Sequence, residues 1–244
     1  MKLPGRRLFR LTRFLTRCAR AGWDGPHSEG PAQANWALRH GKGFARAMGL
    51  KVEVDGDPGN SQAWVGNHLG YMDIVGLSTV RPVAFVAKSE IRAWPMIGKL
   101  AAKGGTIFIE RSRRMAVGEV TASMAARVKQ GVPVVFFPEG TSSAGESVLP
   151  FHASLFGPAV DQEWMVTPFA LAFDCRGPDG VDVPYWGEMS FGPHFLKLMT
   201  HHSIRMRVKF GAPARMSGDR KVVAREWRDR VSSLHSDLRA ARGR

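Results

Sequence analysis

Between residues 50 and 210, short apolar runs alternate with stretches of helical periodicity, and no other feature of this 244-residue chain narrows the fold as far. The runs are KVEV (51–54), AWVG (63–66), VAFVA (83–87), TIFI (106–109), VPVVFF (132–137), VTPFALAF (166–173) and IRMRVKF (204–210). Helical pattern fills 73–79, 94–102, 112–130 and 219–241. Runs of strand length separated by helices build a mixed sheet covered by helices, so the chain is predicted to be a single α/β domain over residues 50–244. In the last helix Val223, Trp227, Val231, Leu234 and Leu238 form one apolar stripe, suited to closing the core.

Residues 1–49 read differently. In RRLFRLTRFLTRCARAG, Leu8, Leu11, Leu15 and Cys18 recur at helical spacing with Phe14 beside them, while Arg10, Arg13, Arg17 and Arg20 take the opposite face. An amphipathic helix with arginine on its polar side suits the plane of a lipid surface, although an ordinary helix packed on the domain has the same pattern. After a Gly/Pro-containing break at 22–32, a second helix carries Trp36, Leu38, Phe44 and Met48. Two N-terminal membrane-contacting helices are therefore expected before the domain. The arginines interrupt any secretory signal, and no window approaches the roughly 20 apolar residues a spanning helix needs.

The charge distribution agrees. Of a net +14, residues 1–20 carry seven Lys or Arg and no acid, and residues 201–244 carry twelve against four, leaving the middle near neutral. Basic termini around a neutral centre fit docking on an anionic membrane surface better than nucleic-acid binding, which spreads basic residues over the face that tracks the phosphates. The two cysteines, Cys18 and Cys175, match no metal or redox spacing and fit a reducing compartment. His194, His201 and His202 match no metal-site spacing either and are expected at the surface or at an interface. No metal is expected.

Three polar signatures follow directly on apolar runs, where α/β folds place their ligand crevices. The first is NHLGYMD (67–73). Five residues along a continuous helix would set His68 and Asp73 about 140° apart at roughly 100° per residue, so a turn must intervene for them to pair. Gly70 supplies it, and Asp73 then falls in the first turn of a new helix, where a carboxylate is favoured. An imidazole held by a carboxylate is a competent general base, and with no GxSxG elbow in the chain the hydroxyl it activates belongs to a substrate. The bland alternative is a structural hydrogen bond.

The second signature, GGTIFIERSRR (104–114), empties a strand into Arg111, Arg113 and Arg114. Guanidinium groups at a strand end suit an anionic head group, and basic residues at a helix start are otherwise disfavoured by the dipole. Arg111, first out of the strand, is the candidate. The third, VVFFPEGTSS (134–143), delivers Pro138, Glu139, Gly140 and Thr141 to a strand end, where Gly140 permits close approach of a ligand to backbone N–H groups. A tight turn after a buried strand would read the same way.

In this order the signatures resemble those of the glycerolipid acyltransferase family, typified by 1-acyl-sn-glycerol-3-phosphate acyltransferases. The HxxxxD block is matched by His68 and Asp73, the GxxFIxR block by Gly105 through Arg111, the FPEGTRS block by Phe137 through Ser143 and the V-x-P block by Val166 through Pro168. The resemblance implies transfer of a fatty acyl group from acyl-coenzyme A or acyl carrier protein to a lysolipid hydroxyl, with no metal or other cofactor. It implies His68 as base, Asp73 as its orienter, and Arg111 as holder of the acceptor's anion. It further implies Glu139, Gly140 and Thr141 around that anion and the oxyanion, and Thr167 and Pro168 at an acyl site. Its members imply a peripheral enzyme on the cytoplasmic face of the inner membrane. One position departs: Ser142 stands where the block has arginine, which brings lyso-ornithine lipid or another lysophospholipid forward as alternative acceptor. A peripheral membrane-binding protein without turnover is the non-enzymatic alternative, and it has no need of the three blocks.

Overall fold

The computed structural model describes residues 4–26, 28–94, 96–109, 116–174 and 182–241. Arg111, Arg113, Arg114 and Cys175 lie outside them. Helices α1 (Pro4–Trp23) and α2 (Pro31–Met48) precede β1 (Leu50–Asp55), β2 (Ala63–Gly66), α3 (Tyr71–Leu77), β3 (Ala84–Lys88), α4 (Ile97–Lys103), β4 (Ile107–Ile109) and α5 (Ala116–Lys129). Then come β5 (Val134–Phe136), α6 (Gly157–Asp161), β6 (Met165–Phe173), α7 (Phe191–Leu198), β7 (Ile204–Phe210), β8 (Ala214–Arg215) and α8 (Arg220–Ala240). All seven expected strands form. The short β8 and helices α6 and α7 lie where no element was expected.

The strands join in one mixed sheet in the order β1-β7-β6-β2-β5-β3-β4, with β8 beside the start of β6. β6, β2, β5, β3 and β4 are parallel neighbours, whereas β6 and β7 pair antiparallel. From β2 the chain passes out to β3 and β4, returns to β5 beside β2, and crosses β2 to β6. That reversal leaves a crevice beyond the carboxyl ends of β2 and β5, the place where open parallel sheets hold their ligands.

Side chains alternate across the strands, so β2, β5 and β6 feed two cores. Trp64, Val135, Phe137 and Leu171 meet Phe14 and Cys18 of α1, Met48 of α2, Met72 of α3 and Phe195 of α7. On the other face Val65, Phe136 and Val166 meet Met124 of α5, Ala159 of α6 and Trp227 of α8. The N-terminal helices thus share a core with the sheet. Burial pushes the Cys18 thiol up to about 12, which keeps it protonated.

The α1 stripe divides. Phe14 and Cys18 are buried and Leu11 packs beside them, while Leu8, Phe9, Leu15 and Trp23 stand 66%, 60%, 51% and 94% exposed. The domain covers one half of the apolar arc and leaves the other bare. The arginine side is partly engaged too, because Arg10 donates to the carbonyls of His201 and His202. Among the described residues no helix is long and apolar enough to cross a membrane.

Candidate active site

β2 ends at Gly66, and the next three residues set the site. Asn67 is fully buried; its Nδ2 donates to the Leu171 carbonyl at 3.1 Å, and its Oδ1 accepts the Leu171 N–H at 2.8 Å. Its side-chain amide thereby continues the β2–β6 ladder after the β2 backbone has turned away. This fixes the point at which His68 leaves the sheet.

Gly70 makes the turn. Its φ of 137° is open to glycine, and a Cβ there would come within 2.9 Å of Tyr185 Cβ. Asp73 follows at the third position of α3, fully buried, and its Oδ2 accepts three donors: His68 Nδ1 at 2.8 Å, Leu69 N–H at 2.6 Å and Gly70 N–H at 3.0 Å. An oxygen already taking two backbone protons acts as acceptor toward the ring, so Nδ1 carries the imidazole proton and Nε2 presents a lone pair. The ring also stacks on Phe137, centroids 4.3 Å apart and planes at 22°. His68 keeps 23% of its side-chain surface open, and no described group bonds Nε2. The pair expected from the sequence is formed, and its orientation is fixed on two sides.

The loop after β5 grips the same turn. Ser143 donates its N–H to the His68 carbonyl at 2.9 Å. Glu139 is buried, with Oε1 accepting the Leu149 N–H at 3.2 Å. Burial raises its carboxyl to about 7; the backbone N–H groups of Leu149 and His68 offset part of this, nearby Asp73 adds to it, and Arg228 opposes it. Glu139 is thus a buried brace within the loop that holds the His68 backbone. Gly140 turns with φ 71° and commits its N–H to the Phe137 carbonyl at 3.1 Å, so that donor points back into the turn and not outward to an oxyanion. Thr141 is exposed beside it.

Thr167 and Pro168 are placed elsewhere. They pair with Trp64 and Val65 near the start of β6, about four residues or ~13 Å of strand from the level of His68. The Thr167 hydroxyl donates to the Pro58 carbonyl at 2.7 Å and meets Ser61 Oγ at 2.8 Å, pinning the loop that leads into β2. Neither residue lines the apolar cavity described next.

That cavity, of about 180 Å³, lies between α1, α2, α3, α4 and α7. The helix that carries Asp73 also gives Tyr71 and Ile74 to its wall, facing Phe14, Phe44, Leu100 and Phe191. Residues 182–191, which the sequence pattern left blank, cross above it: Tyr185 donates its N–H to the Leu69 carbonyl at 2.7 Å, and Tyr185 and Phe191 ring Tyr71. Of the histidines expected at the surface or at an interface, His194 and His201 are buried within the chain's own packing. The Asp182 carbonyl takes the proton of His194 Nε2, so Nδ1 accepts from the Tyr71 hydroxyl at 2.9 Å. Burial lowers the His194 pKa and raises that of Tyr71, which keeps both neutral in that bond.

A model of the acyltransferase family matches residues 58–172, the span that holds Asn67, His68, Gly70, Asp73, Glu139, Gly140 and Ser143. A lyso-ornithine lipid O-acyltransferase of Brucella abortus is 35% identical over 207 residues, covering 78% of each chain. A 1-acyl-sn-glycerol-3-phosphate acyltransferase of Neisseria gonorrhoeae is 30% identical over 95% of this chain and 93% of its own. The chain belongs to the acyltransferase family. The fold of this acyltransferase also matches the crystal structure of the 1-acyl-sn-glycerophosphate acyltransferase PlsC from Thermotoga maritima, with TM-score 0.67 over 96% of this chain and 94% of that one at 21% identity.

Proposed function

We propose that this acyltransferase moves a fatty acyl group from a thioester, acyl-coenzyme A or acyl carrier protein, to the hydroxyl of a lysolipid, with His68 as general base. The observation that carries the reading is the His68–Asp73 pair, with Nδ1 held and Nε2 open beyond the sheet. Nε2 accepts the proton of the acceptor hydroxyl as its oxygen attacks the thioester carbonyl. The tetrahedral intermediate collapses, the C–S bond breaks, and the imidazolium returns its proton to the departing sulfur. Asp73 stabilises the imidazolium between the two transfers. The apolar cavity beside α3 suits a fatty acyl chain, and its wall is continuous with the helix that orients the base.

The first acceptor is 1-acyl-sn-glycerol-3-phosphate, the substrate in the name of the Neisseria relative. A second reading, lyso-ornithine lipid, is favoured by Ser142, which leaves the loop after β5 without an arginine for a phosphate, and by the Brucella relative. In either case Arg111 is the proposed anion holder. The bare arc of α1, with Leu8, Phe9 and Leu15 flanked by arginines, is proposed to seat the enzyme on the anionic cytoplasmic face of the inner membrane. A panel of both lysolipids against acyl-coenzyme A and acyl carrier protein tests the reading. Turnover of one lysolipid well above the other assigns the acceptor, and no turnover with any pair would reject acyl transfer.

A further inference from the structure

The C-terminal helix closes the core, as expected, with a buried stripe of Val223, Trp227, Val231 and Leu238. Two of its arginines reach one loop. Arg228 Nη2 donates to the Val148 carbonyl at 3.0 Å, and Arg239 Nη1 donates to the Glu146 carbonyl at 2.5 Å. Gly145 in turn lies against Leu69: a Cβ on it would come within 2.8 Å of that side chain. The loop is therefore held from outside by α8 and from inside by Ser143, which bonds the His68 carbonyl, and by Glu139, which bonds the Leu149 N–H. Two of the polar atoms involved are buried without a described hydrogen-bond partner and belong to groups of opposite charge, Glu139 Oε2 and Arg228 Nε. The charged groups acting on Glu139 are Asp73 from α3 and Arg228 from α8, and position 142 within the loop is serine.

We propose that Arg228 is a positioning residue for the acyl transfer: bonded to the Val148 carbonyl, it holds residues 138–149 against the backbone of His68. The inference rests on the acyltransfer reading for its catalytic consequence but not for its structural one. An ionised Glu139 is the better acceptor for the Leu149 N–H, and the Arg228 cation favours that form. Without it the brace slackens and Glu139 takes up its proton at higher pH.

The test uses the full chain with Arg228→Gln and Arg228→Lys. Amide hydrogen exchange is followed at Leu149 and Ser143, and kcat/KM is followed against pH with a lysolipid and an acyl thioester. In Arg228→Gln both amides are expected to lose about tenfold in protection, and kcat to fall about tenfold with little change in KM. The rising limb of the pH profile is expected to move to higher pH. Arg228→Lys, which keeps the charge, should hold the wild-type limb with a smaller loss of rate, and it serves alone should the Gln variant not fold. Unchanged protection at Leu149 overturns the proposal. So does a loss of rate with an unmoved limb in Arg228→Gln, or a limb displaced in Arg228→Lys. Should the wild-type protein acylate no acceptor, the acyltransfer reading falls and the exchange data alone decide whether Arg228 braces the loop.

Discussion

The backbone N–H of Ser143 is bonded to the backbone carbonyl of His68 at 2.9 Å, joining the loop after β5 to the loop after β2 across 75 residues of chain. With Glu139 bonding the Leu149 N–H inside the same segment, the loop after β5 is tied both to itself and to the backbone of His68. The base is therefore aligned by two strand ends together, and substitutions in either loop are expected to reach it.

Asp73→Asn tests the orienting role. Asn keeps the size of the side chain but brings an NH2 group toward donors that all require an acceptor: His68 Nδ1, Leu69 N–H and Gly70 N–H. The expected loss in kcat is about 10²- to 10⁴-fold, the range associated with a general base. Thermal denaturation should show a destabilisation of about 1–3 kcal/mol, the cost of leaving a buried donor unpaired. Wild-type turnover in this variant would remove Asp73 from the mechanism.

Asn67→Ala is expected to act on stability first. Its amide makes two buried bonds to Leu171, and their loss leaves an N–H and a carbonyl unpaired in the sheet, at a cost of about 2–4 kcal/mol in urea unfolding. Activity per folded molecule should also fall, because the exit point of His68 from β2 is no longer fixed. A midpoint equal to that of wild type would contradict the ladder-extending role.

Glu139 makes stability depend on pH. Its carboxyl is raised from 4.5 to about 7 in the folded protein, chiefly by burial, so between those values the native state binds a proton that the unfolded chain has released. The slope of unfolding free energy with pH is then negative: the contribution is complete below about 4.5 and lost as pH rises through about 7. Two and a half units correspond to about 3 kcal/mol. Urea titrations of Glu139→Gln should lack this fall between pH 5 and pH 8. A fall of equal size in the variant would assign it to another group.

The bare arc of α1 gives a surface prediction. Replacing Leu8, Phe9 and Leu15 by Ser removes three exposed apolar side chains, each worth about 1.5–3 kcal/mol when fully buried. Partial insertion into lipid would yield less, and a loss on the order of 10²-fold in binding to anionic vesicles is expected in sedimentation assays. The fold should be unchanged, since these residues pack on nothing in the core. Equal vesicle binding by the variant would move the membrane contact elsewhere.

Local and nonlocal information explain what the sequence disclosed. His68, Gly70 and Asp73 were legible because a five-residue spacing with a glycine admits one way of pairing the side chains. The seven longer strands were legible because apolar runs between helices have few other solutions. The division of the α1 stripe was not legible, because periodicity reports an apolar arc and not how much of it the domain covers. Thr167 was read toward an acyl site because its block follows the others in order. Its depth in β6 depends on register with β2, and that register places it toward the opposite end of the strands. Asn67 and Leu171 are partners across 104 residues, and the crossing of Tyr185 over Leu69 is as distant. Neither has a local signal.

The most direct measurement is acyl transfer by His68→Ala, assayed with the preferred lysolipid and thioester alongside a circular dichroism spectrum and a melting curve. The side chain is partly open, and it makes one side-chain hydrogen bond, to Asp73, and one ring contact, to Phe137, so the variant should fold. Loss of about 10²- to 10⁴-fold in kcat with a native spectrum is the expected result. Turnover within a few-fold of wild type by the folded variant would contradict His68 as the general base.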